Sequence, residues 1–367
     1  MTAVVAARPN FVKMAPVIDA LLHRGRVGVR VLHTGQHYDP ALSDSFFAQL
    51  GMPAPDENLG VGSGTHAEQT ARVLVGVESS LQLRRPDALV VAGDVNSTLA
   101  AALAAAKLGV AVVHIESGLR SGDWTMPEEI NRVLTDRLAD LLLCTSADAL
   151  DNLAAEGIVG ESVTLVGNTM IDSLWRLVER AKRSNPLGAF GLQSRRFVLV
   201  TLHRPALVDD DDRLAAVLAV LDELAAELPV VFPVHPRTRE RIGRLGDRSP
   251  RALRLLEPLP YLEFLSLERA ARLVITDSGG VQEETSALGV PCLTYRTTTE
   301  RPVTIERGTN RLIGTRPEAL AEACREEFAI ARDFAAAAIP LWEGQAGGRA
   351  AEAIESLIER RATTPAH

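Results

Sequence analysis

The feature that most constrains the fold of this chain is a repeated alternation of short apolar runs with longer stretches rich in alanine and leucine. The runs are almost continuously apolar, as in strands that are buried on both faces of a parallel sheet. The intervening stretches contain strong helix formers. The alternation predicts an α/β protein with strands at residues 29–34, 87–93, 110–116, 140–145, 196–202, 228–235, 272–277 and 290–295.

Two of the predicted helices show how the helical stretches are bounded. In residues 97–109, Ser97 is a candidate N-cap and Gly109 is a candidate helix stop. The last helix is predicted over residues 349–361, after a glycine-rich turn at 344–348, and its pattern is amphipathic.

The series of strands and helices occurs twice, and 367 residues are enough for about two domains. We therefore predict two Rossmann-like, doubly wound domains that face each other across a cleft. The N-terminal domain is predicted to comprise residues 1–170 and 349–367, and it carries the candidate catalytic carboxylates. The C-terminal domain, residues 171–348, carries the candidate nucleotide site.

Composition excludes several classes of protein. The net charge of −8 argues against a nucleic-acid surface, although it does not argue against one small anionic ligand. No apolar run approaches the roughly 18 uncharged residues of a membrane span, and the N-terminus lacks a signal-peptide pattern. Cys144, Cys292 and Cys324 form neither a metal knuckle nor an even disulfide framework. We expect a cytoplasmic protein that binds neither nucleic acid nor membrane.

Charged residues are concentrated at the C-terminal ends of the predicted strands, where open α/β sheets bind their ligands. Each of them has a possible structural role, such as an ion pair or a helix cap. Helix capping alone, however, does not require histidines, arginines and several carboxylates at one edge. The pattern predicts a functional site that draws on Arg8, Lys13, Asp94, Glu116, Arg120, Glu128, Glu129, Arg132, His203, Arg204, His235 and Arg237.

The stretch VITDSGGVQEETSALG, residues 274–289, is either an ordinary capped helix or a phosphate-binding helix start. It lacks the G-x-G-x-x-G dinucleotide fingerprint, and the chain has no P-loop. Ser278, Gly279 and Gly280 can offer backbone N–H groups to a phosphate. Glu284 lies one turn further on and can accept hydrogen bonds from a ribose diol. This combination favours a nucleoside diphosphate over a lone phosphate.

Many motifs, in order along nearly the whole chain, resemble those of the bacterial non-hydrolysing UDP-N-acetylglucosamine 2-epimerases. The resemblance implies a GT-B type fold, a UDP-sugar substrate, no metal or redox cofactor, and a homodimer. The motifs that carry it are ARPNFVKMAP (7–16), TGQHYD (34–39), GDVNSTLA (93–100), HIESGLRS (114–121), MPEEINR (126–132), VGN (166–168), LHRP (202–205), PVHPRTR (233–239), TDSGGVQEE (276–284), TERP (299–302) and EGQA (343–346).

The resemblance also implies a reaction, the epimerisation of UDP-GlcNAc to UDP-ManNAc at C2 by elimination and re-addition of UDP through a glycal. It assigns roles to residues of this chain. The catalytic residues are Asp94, Glu116, Glu128 and His203. The diphosphate is bound by His203 together with Arg8, Lys13, Ser278, Gly279 and Gly280, and the ribose is bound by Glu284. Arg132 orients the carboxylates, and Arg301 lies near the site. Which carboxylate is the acid and which is the base stays open.

Departures from the family pattern bear on the substrate. Asn10 stands where an acidic residue is usual, and Ala206 and Leu207 replace ligand-contacting residues of the histidine motif. These changes resemble a branch that acts on modified 2-acetamido sugars such as diacetamido-uronates. Gln36, Arg72 and Glu128 match positions at which some members bind a second, activating substrate molecule.

Three further alternatives stay open from the sequence. The first is a hydrolysing 2-epimerase that releases ManNAc and UDP. The second is a GT-B glycosyltransferase, and the third is a catalytically silent UDP-sugar sensor. The set of carboxylates at the strand ends favours an epimerase over the last two.

Overall fold

The computed structural model describes residues 1–35, 47–184, 186–331 and 334–363, with the side chain of Arg8 outside the description. The chain forms two compact α/β units. The first comprises Met1–Ser173 and Pro340–His367, and the second comprises Leu174–Ile339. The chain returns to the first unit at Pro340, whereas the sequence prediction placed this boundary at residue 349.

The first unit contains a parallel sheet of seven strands in the order β3-β2-β1-β4-β5-β6-β7. Four predicted strands are confirmed as β2, β4, β5 and β6. The edge strands β3 and β7 were not predicted, because they are short and only partly buried. The strands are β1 Thr2–Val5, β2 Arg30–His33, β3 Glu57–Asn58, β4 Ala88–Ala92, β5 Ala111–Ser117, β6 Leu141–Cys144 and β7 Val163–Leu165.

Helices connect these strands and cover the sheet. They are α1 Arg8–Arg24, α2 His66–Leu83, α3 Asn96–Lys107, α4 Pro127–Leu138, α5 Ala147–Ala155 and α6 Thr169–Ser184, the last of which crosses into the second unit. The prediction of Ser97 as a cap is wrong. Val95 is the N-cap of α3, because its backbone is extended and Asn96 is already helical. Gly109 is confirmed just beyond the end of α3, with a φ of 67°.

The second unit contains a parallel sheet of six strands in the order β10-β9-β8-β11-β12-β13. Its predicted strands are confirmed as β8, β9, β11 and β12. The strands are β8 Val198–Thr201, β9 Val230–Pro233, β10 Arg254–Leu256, β11 Leu273–Thr276, β12 Cys292–Thr294 and β13 Asn310–Leu312. The helices are α7 Pro186–Ala189, α8 Pro205–Val208, α9 Asp211–Leu224, α10 Pro236–Arg244, α11 Tyr261–Ala270, α12 Gly279–Leu288, α13 Val303–Glu306 and α14 Pro317–Ala329. The two sheets confirm the predicted doubly wound α/β class.

The last helix, α15, spans Ala346–Thr363 and packs on α1 of the first unit. It begins three residues before the predicted start, so part of the expected glycine-rich turn is helical. Gly347 allows this close packing, because a Cβ there would lie 2.6 Å from the carbonyl oxygen of Pro16.

Hydrogen bonds explain why residues 340–348 belong to the first unit. The backbone N–H groups of Ala346 and Gly347 donate to the Asp172 carboxylate at 3.1 and 2.7 Å. The indole N–H of Trp342 donates to the carbonyl of Thr145 at 3.1 Å.

Each sheet forms a hydrophobic core with its flanking helices. In the first unit, β1, β2, β4 and β5 pack against α2 and α3, and the buried alanines of α3 let it approach α2 closely. In the second unit, β8, β9, β11 and β12 pack against α9 and α14. Of the helices in the described residues, none has the length and hydropathy required to cross a bilayer.

Candidate active site

Both sheets have a point at which the strand order reverses, and ligands of open α/β sheets bind outside the carboxyl ends of the strands at such points. In the first unit the reversal lies between β1 and β4, and in the second it lies between β8 and β11. Lys13 follows β1 and Asp94 follows β4. His203 follows β8, and Ser278 follows β11. Four of the predicted site residues therefore belong to these two switch points.

Glu116 lies near the end of β5 in an unusual backbone conformation. Its φ is 66°, a region that few residues other than glycine adopt. The pairing of β5 with β6 shifts register between Ile115 and Ser117, which indicates a bulge at Glu116. The Glu116 carboxylate forms a buried ion pair with the ammonium group of Lys13. Strained residues of this kind cluster at functional sites, where the surrounding structure holds them in place.

Gly93 brings the loop after β4 against this ion pair. A Cβ at Gly93 would lie 2.9 Å from Lys13 Nζ and 3.1 Å from Glu116 Oε2, and the φ of Gly93 is 66°. A side chain is therefore disfavoured there by both space and conformation. The next residue is Asp94, so the predicted carboxylates Asp94 and Glu116 stand at one edge of the sheet.

Arg132 holds Asp94 in place. Its guanidinium group is buried and pairs with the carboxylates of both Asp94 and Glu129. Burial opposes ionisation of Glu129, but the backbone N–H groups of Ser121 and Gly122 and the Arg132 charge together lower its pKa. Glu129 is thus a fixed anion that anchors Arg132. Asp94 keeps 24% of its side chain exposed and can contact a ligand.

Glu128 and Glu129 differ in their surroundings although they are adjacent. Glu128 is exposed in the first turn of α4, whereas Glu129 is buried. Glu128 was predicted to be catalytic, whereas no role of its own was predicted for Glu129. The spacing of Glu129 and Arg132, three residues apart on one helix face, was the available signal for their contact.

A buried group of charges supports the loops that carry Asp94 and Glu116. The Nδ1 atom of His114 lies 2.6 Å from an Asp136 oxygen, and its Nε2 atom lies 2.8 Å from the carbonyl oxygen of Gly93. Arg120 and the N–H of Gly118 contact the other Asp136 oxygen at 2.7 and 3.0 Å. Despite burial, His114 and Arg120 lower the pKa of Asp136. Arg120 therefore has a structural role.

Other predicted positions of the first unit have local roles or lie outside the description. The Asn10 amide donates to the carbonyl of Ala92 at 2.7 Å and accepts from the N–H of Ala7 at 3.2 Å. Arg72 donates to the carbonyl of Val61 at 3.1 Å. Gln36 lies outside the described residues.

In the second unit, His203 is held by Asp277. Its Nδ1 atom lies 2.8 Å from Asp277 Oδ1, and 59% of its side chain is exposed. The backbone N–H groups of His203 and Arg204 donate to the other Asp277 oxygen at 2.9 and 2.8 Å. Burial would raise the pKa of Asp277, but His203 and these N–H groups lower it below its usual value. The arrangement fixes the imidazole at the end of β8.

The predicted helix start after β11 has the expected backbone. Ser278 is extended, with φ and ψ of −85° and 132°, and α12 begins at Gly279. The first N–H groups of a helix have no intrahelical partner and favour an anion. A Cβ at Gly279 would lie 2.3 Å from Arg301 Nη1 and 2.7 Å from Glu300 Oε1. Glycine at this position therefore allows Arg301 to lie against the helix start.

Arg301 is buried within a group of ion pairs. Its guanidinium group pairs with Glu300, and its Nε atom lies 3.0 Å from Glu283 Oε1. Arg296 pairs with the other Glu300 oxygen at 2.8 Å. These contacts fix Arg301 beside the start of α12.

Two further candidates of the second unit have structural contacts. The side chain of His235 caps α10 by accepting a hydrogen bond from the N–H of Arg237 at 3.3 Å. The Arg237 guanidinium pairs with Asp209 at 2.7 Å.

Glu284 lies in a buried group with Tyr261 and Glu268. The Tyr261 hydroxyl donates to Glu284 Oε1. Burial raises the pKa of Glu284 to about 7, and burial together with the charge of Glu284 raises the pKa of Glu268 well above its usual value. Neither Tyr261 nor Glu268 was predicted from the sequence as part of the site. Their spacing of seven residues, with Leu265 between them, places them on one helix face and was the available signal.

Comparison with known proteins relates this geometry to a family. A family model described as UDP-N-acetylglucosamine 2-epimerase matches residues 19–355. The UDP-N-acetylglucosamine 2-epimerase of Methanocaldococcus jannaschii is 41% identical over 332 residues, which are 88% of this chain and 90% of that protein. The UDP-2,3-diacetamido-2,3-dideoxy-D-glucuronate 2-epimerase of Pseudomonas aeruginosa is 41% identical over 325 residues, again 88% and 90% of the two chains.

The same similarity holds in three dimensions. The crystal structure of the Methanocaldococcus jannaschii UDP-GlcNAc 2-epimerase, in complex with UDP-GlcNAc and UDP, superimposes with a TM-score of 0.87. The sequence identity is 38%, and the match covers 97% of this chain and 99% of the other. The similarity thus extends over both units.

Proposed function

Because the chain belongs to the UDP-N-acetylglucosamine 2-epimerase family, we propose that it interconverts UDP-GlcNAc and UDP-ManNAc without releasing free sugar. The observation that carries this proposal is the group of charges at the switch point of the first unit. There Glu116, in its strained conformation beside Lys13, and Asp94, held by Arg132, lie at the carboxyl ends of neighbouring strands.

The proposed reaction begins when the C1–O bond breaks and UDP leaves with the bonding electron pair. The charge that develops on the sugar ring acidifies the C2 proton, and a carboxylate removes it to leave a glycal. UDP then adds back to C1 while an acid delivers a proton to the opposite face of C2. Atoms and electrons balance over the cycle without an external oxidant.

We assign the proton-transfer steps to carboxylates of the first unit. Asp94 and Glu128 have exposed surface through which they can contact a sugar, and Glu116 lies beside Gly93 in the same group. Lys13, and Arg8 at the start of the same helix, are the proposed cations of this edge. Arg132 orients Asp94.

We assign the UDP group to the second unit. The N–H groups at the start of α12, with Ser278, Gly279 and Gly280, suit a diphosphate. His203, fixed by Asp277 and largely exposed, is the proposed cationic group that stabilises the departing diphosphate. Arg301 packs against Gly279 and so supports the start of α12. Glu284 is the proposed acceptor of hydrogen bonds from the ribose.

The direct test is to incubate the purified chain with UDP-GlcNAc and to follow products by NMR. We expect UDP-ManNAc to accumulate to an equilibrium, with free ManNAc well below stoichiometric amounts. Stoichiometric ManNAc and UDP would show a hydrolysing enzyme instead. Absence of UDP-ManNAc would contradict the proposal, and the Asp94→Asn variant provides the inactive control.

A modified sugar is the second candidate substrate, because the chain is as similar to the diacetamido-glucuronate 2-epimerase as to the UDP-GlcNAc 2-epimerase. Ala206 and Leu207 lie in the short helix α8, at positions where the family pattern has polar residues. The two sugar nucleotides are to be compared by kcat/KM. A preference of more than about 10-fold, the scale of one or two changed contacts, decides between them.

A further inference from the structure

The carboxyl groups of Glu268 and Glu284 form a buried pair that makes no salt bridge to any described lysine, arginine or histidine. Glu268 is fully buried and Glu284 is 5% exposed. In the described part of the chain, no N–H or hydroxyl group donates to either oxygen of Glu268. After burial, the neighbouring carboxyl group of Glu284 is the next cause that raises the pKa of Glu268. Two carboxyl groups can form a hydrogen bond only if one of them carries a proton.

The two carboxyl groups differ in their other contacts, and this difference places the proton. Glu284 accepts a hydrogen bond from the Tyr261 hydroxyl, which stabilises its ionised form. Glu268 has no such donor in the described residues. This difference favours the proton on Glu268, whose O–H would then donate a hydrogen bond to Glu284.

Among the described residues, no cation forms an ion pair with Glu268 or Glu284. The pKa of the Cys292 thiol, on β12, is raised to about 12 by burial, so this group is neutral. The charged groups on the neighbouring elements are exposed or already paired, namely Arg301 with Glu283 and Glu300, Arg311 with Glu326, and the exposed Glu306. Tyr261, which contacts Glu284, is also titratable, and burial raises its pKa.

We propose that Glu268 is a positioning residue that donates a hydrogen bond to Glu284 and so presents Glu284 as an oriented, ionised acceptor for the ribose diol of UDP. A carboxylate has about four acceptor positions. Tyr261 and Glu268 occupy two of them, and two are left for the two ribose hydroxyls. This inference rests on the proposed function, because it takes Glu284 as the ribose ligand.

The test compares UDP binding by calorimetry in the full-length chain and in the variants Glu268→Leu and Glu268→Gln. In the wild type, affinity rises as the pH increases through about 7, because Glu284 becomes ionised. Glu268→Leu removes the donor, so we expect roughly 10-fold weaker binding at neutral pH, the scale of a hydrogen bond to a charged group. In Glu268→Leu, the pH at which UDP affinity rises should also be higher than in the wild type, because the ionised form of Glu284 has lost a hydrogen-bond donor.

Glu268→Gln separates the donor from a purely packing role. Its side-chain amide donates without titrating, so UDP affinity at neutral pH is expected to stay within about threefold of the wild type. Glu263→Gln, a partly exposed position on the same helix, is the matched control and should bind as the wild type does. Protonation of UDP itself is the same in every experiment, so differences in pH dependence between variants are due to the protein.

A second measurement does not depend on UDP or on the folding of the leucine variant. Infrared spectra above about pH 7 should contain the carbonyl band of a buried protonated carboxyl group in the wild type and lack it in Glu268→Gln. Identical spectra would overturn the inference. If the wild type binds UDP but all Glu268 variants share its affinity and pH profile, only this inference fails. If the wild type binds no UDP, the proposed function fails as well.

Discussion

The carboxyl groups of the two units show opposite solutions to burial. In the first unit, Glu116 pairs with Lys13, and Arg132 pairs with both Asp94 and Glu129. In the second unit, Glu268 and Glu284 lie together with the Tyr261 hydroxyl, and no cation of the described residues pairs with either carboxyl group.

As a consequence, carboxyl groups of the two units differ in charge although they are buried to a similar extent. Partners lower the pKa of Glu129 and Asp136 although burial opposes ionisation, whereas burial raises the pKa of Glu284 and Glu268. The comparison teaches that the partners of a buried carboxyl group, more than its depth, decide whether it is an ion. Fixed anions suit the stabilisation of developing charge, and a pair of carboxyl groups that shares one proton suits hydrogen bonding to a neutral diol.

The largest expected effect follows from neutralising one carboxylate of the first unit. Asp94→Asn and Glu116→Gln should each lower kcat at least about 10²–10³-fold, because a preorganised charge is lost from the transition state. UDP affinity should stay within about threefold, since the proposed UDP ligands are mainly in the second unit. Kinetic assays and UDP calorimetry measure the two quantities.

The exposed Asp151→Asn of α5 is the matched control and should leave both quantities unchanged. Near-normal turnover of Asp94→Asn or Glu116→Gln would remove that residue from the mechanism.

How far the sequence predicted these features depends on the element. The strands β4, β5, β8 and β11 were predictable because burial on both faces leaves a continuous apolar run. The edge strands β3 and β10 have two and three residues and mixed burial, which give no such signal. The cap of α3 was predicted at Ser97, but the tight turn at Gly93 lets the helix start earlier, so Ser97 lies in its first turn. There Ser97 Oγ lies 3.2 Å from Thr34 Oγ1.

The site was predictable in its positions and less so in its pairings. Asp94 and Glu116 could be placed at one sheet edge because both lie at the carboxyl ends of buried strands. Their partners depend on how α1 and α4 pack, which no local pattern specifies. Glu268 was missed because an acid within an apolar helix looks like a solvated position until its face is known to be buried.

A second prediction breaks the ion pair that defines the first unit. Lys13→Met leaves Glu116 buried without its partner, so we expect a loss of roughly 3 kcal/mol in local stability. The double variant Lys13→Met with Glu116→Gln should recover much of this loss, because the uncompensated charge is gone. Hydrogen exchange of β4 and β5 reports the stability of this unit separately.

Lys107→Met, at the exposed end of α3, controls for the loss of a lysine and should change stability by less than about 0.5 kcal/mol. Equal stability of the single and double variants would argue against a strong Lys13–Glu116 interaction.

The smallest expected effect is the pH dependence that Glu284 gives to the free energy of unfolding. The folded-state pKa of Glu284 is raised above its usual value of 4.5 to about 7. Its contribution to stability is therefore fully present below the usual value and is lost as the pH rises through about 7. Glu284→Gln does not titrate, so relative to the wild type it should gain roughly 1–3 kcal/mol between about pH 5 and pH 8.

Urea titrations at the two pH values measure this change in the free energy of unfolding. Glu263→Gln on α11 should follow the wild type at both. A difference between Glu284→Gln and the wild type that does not vary with pH would contradict a raised pKa at Glu284.

The central claim is that the first unit exchanges the C2 proton of a UDP-2-acetamido sugar while UDP departs and returns. Incubation with UDP-GlcNAc in D₂O, followed by NMR, tests it most directly. The account predicts that deuterium enters C2 of both epimers during turnover, and that Asp94→Asn greatly slows this exchange. Epimerisation with the C2 hydrogen fully retained would contradict it.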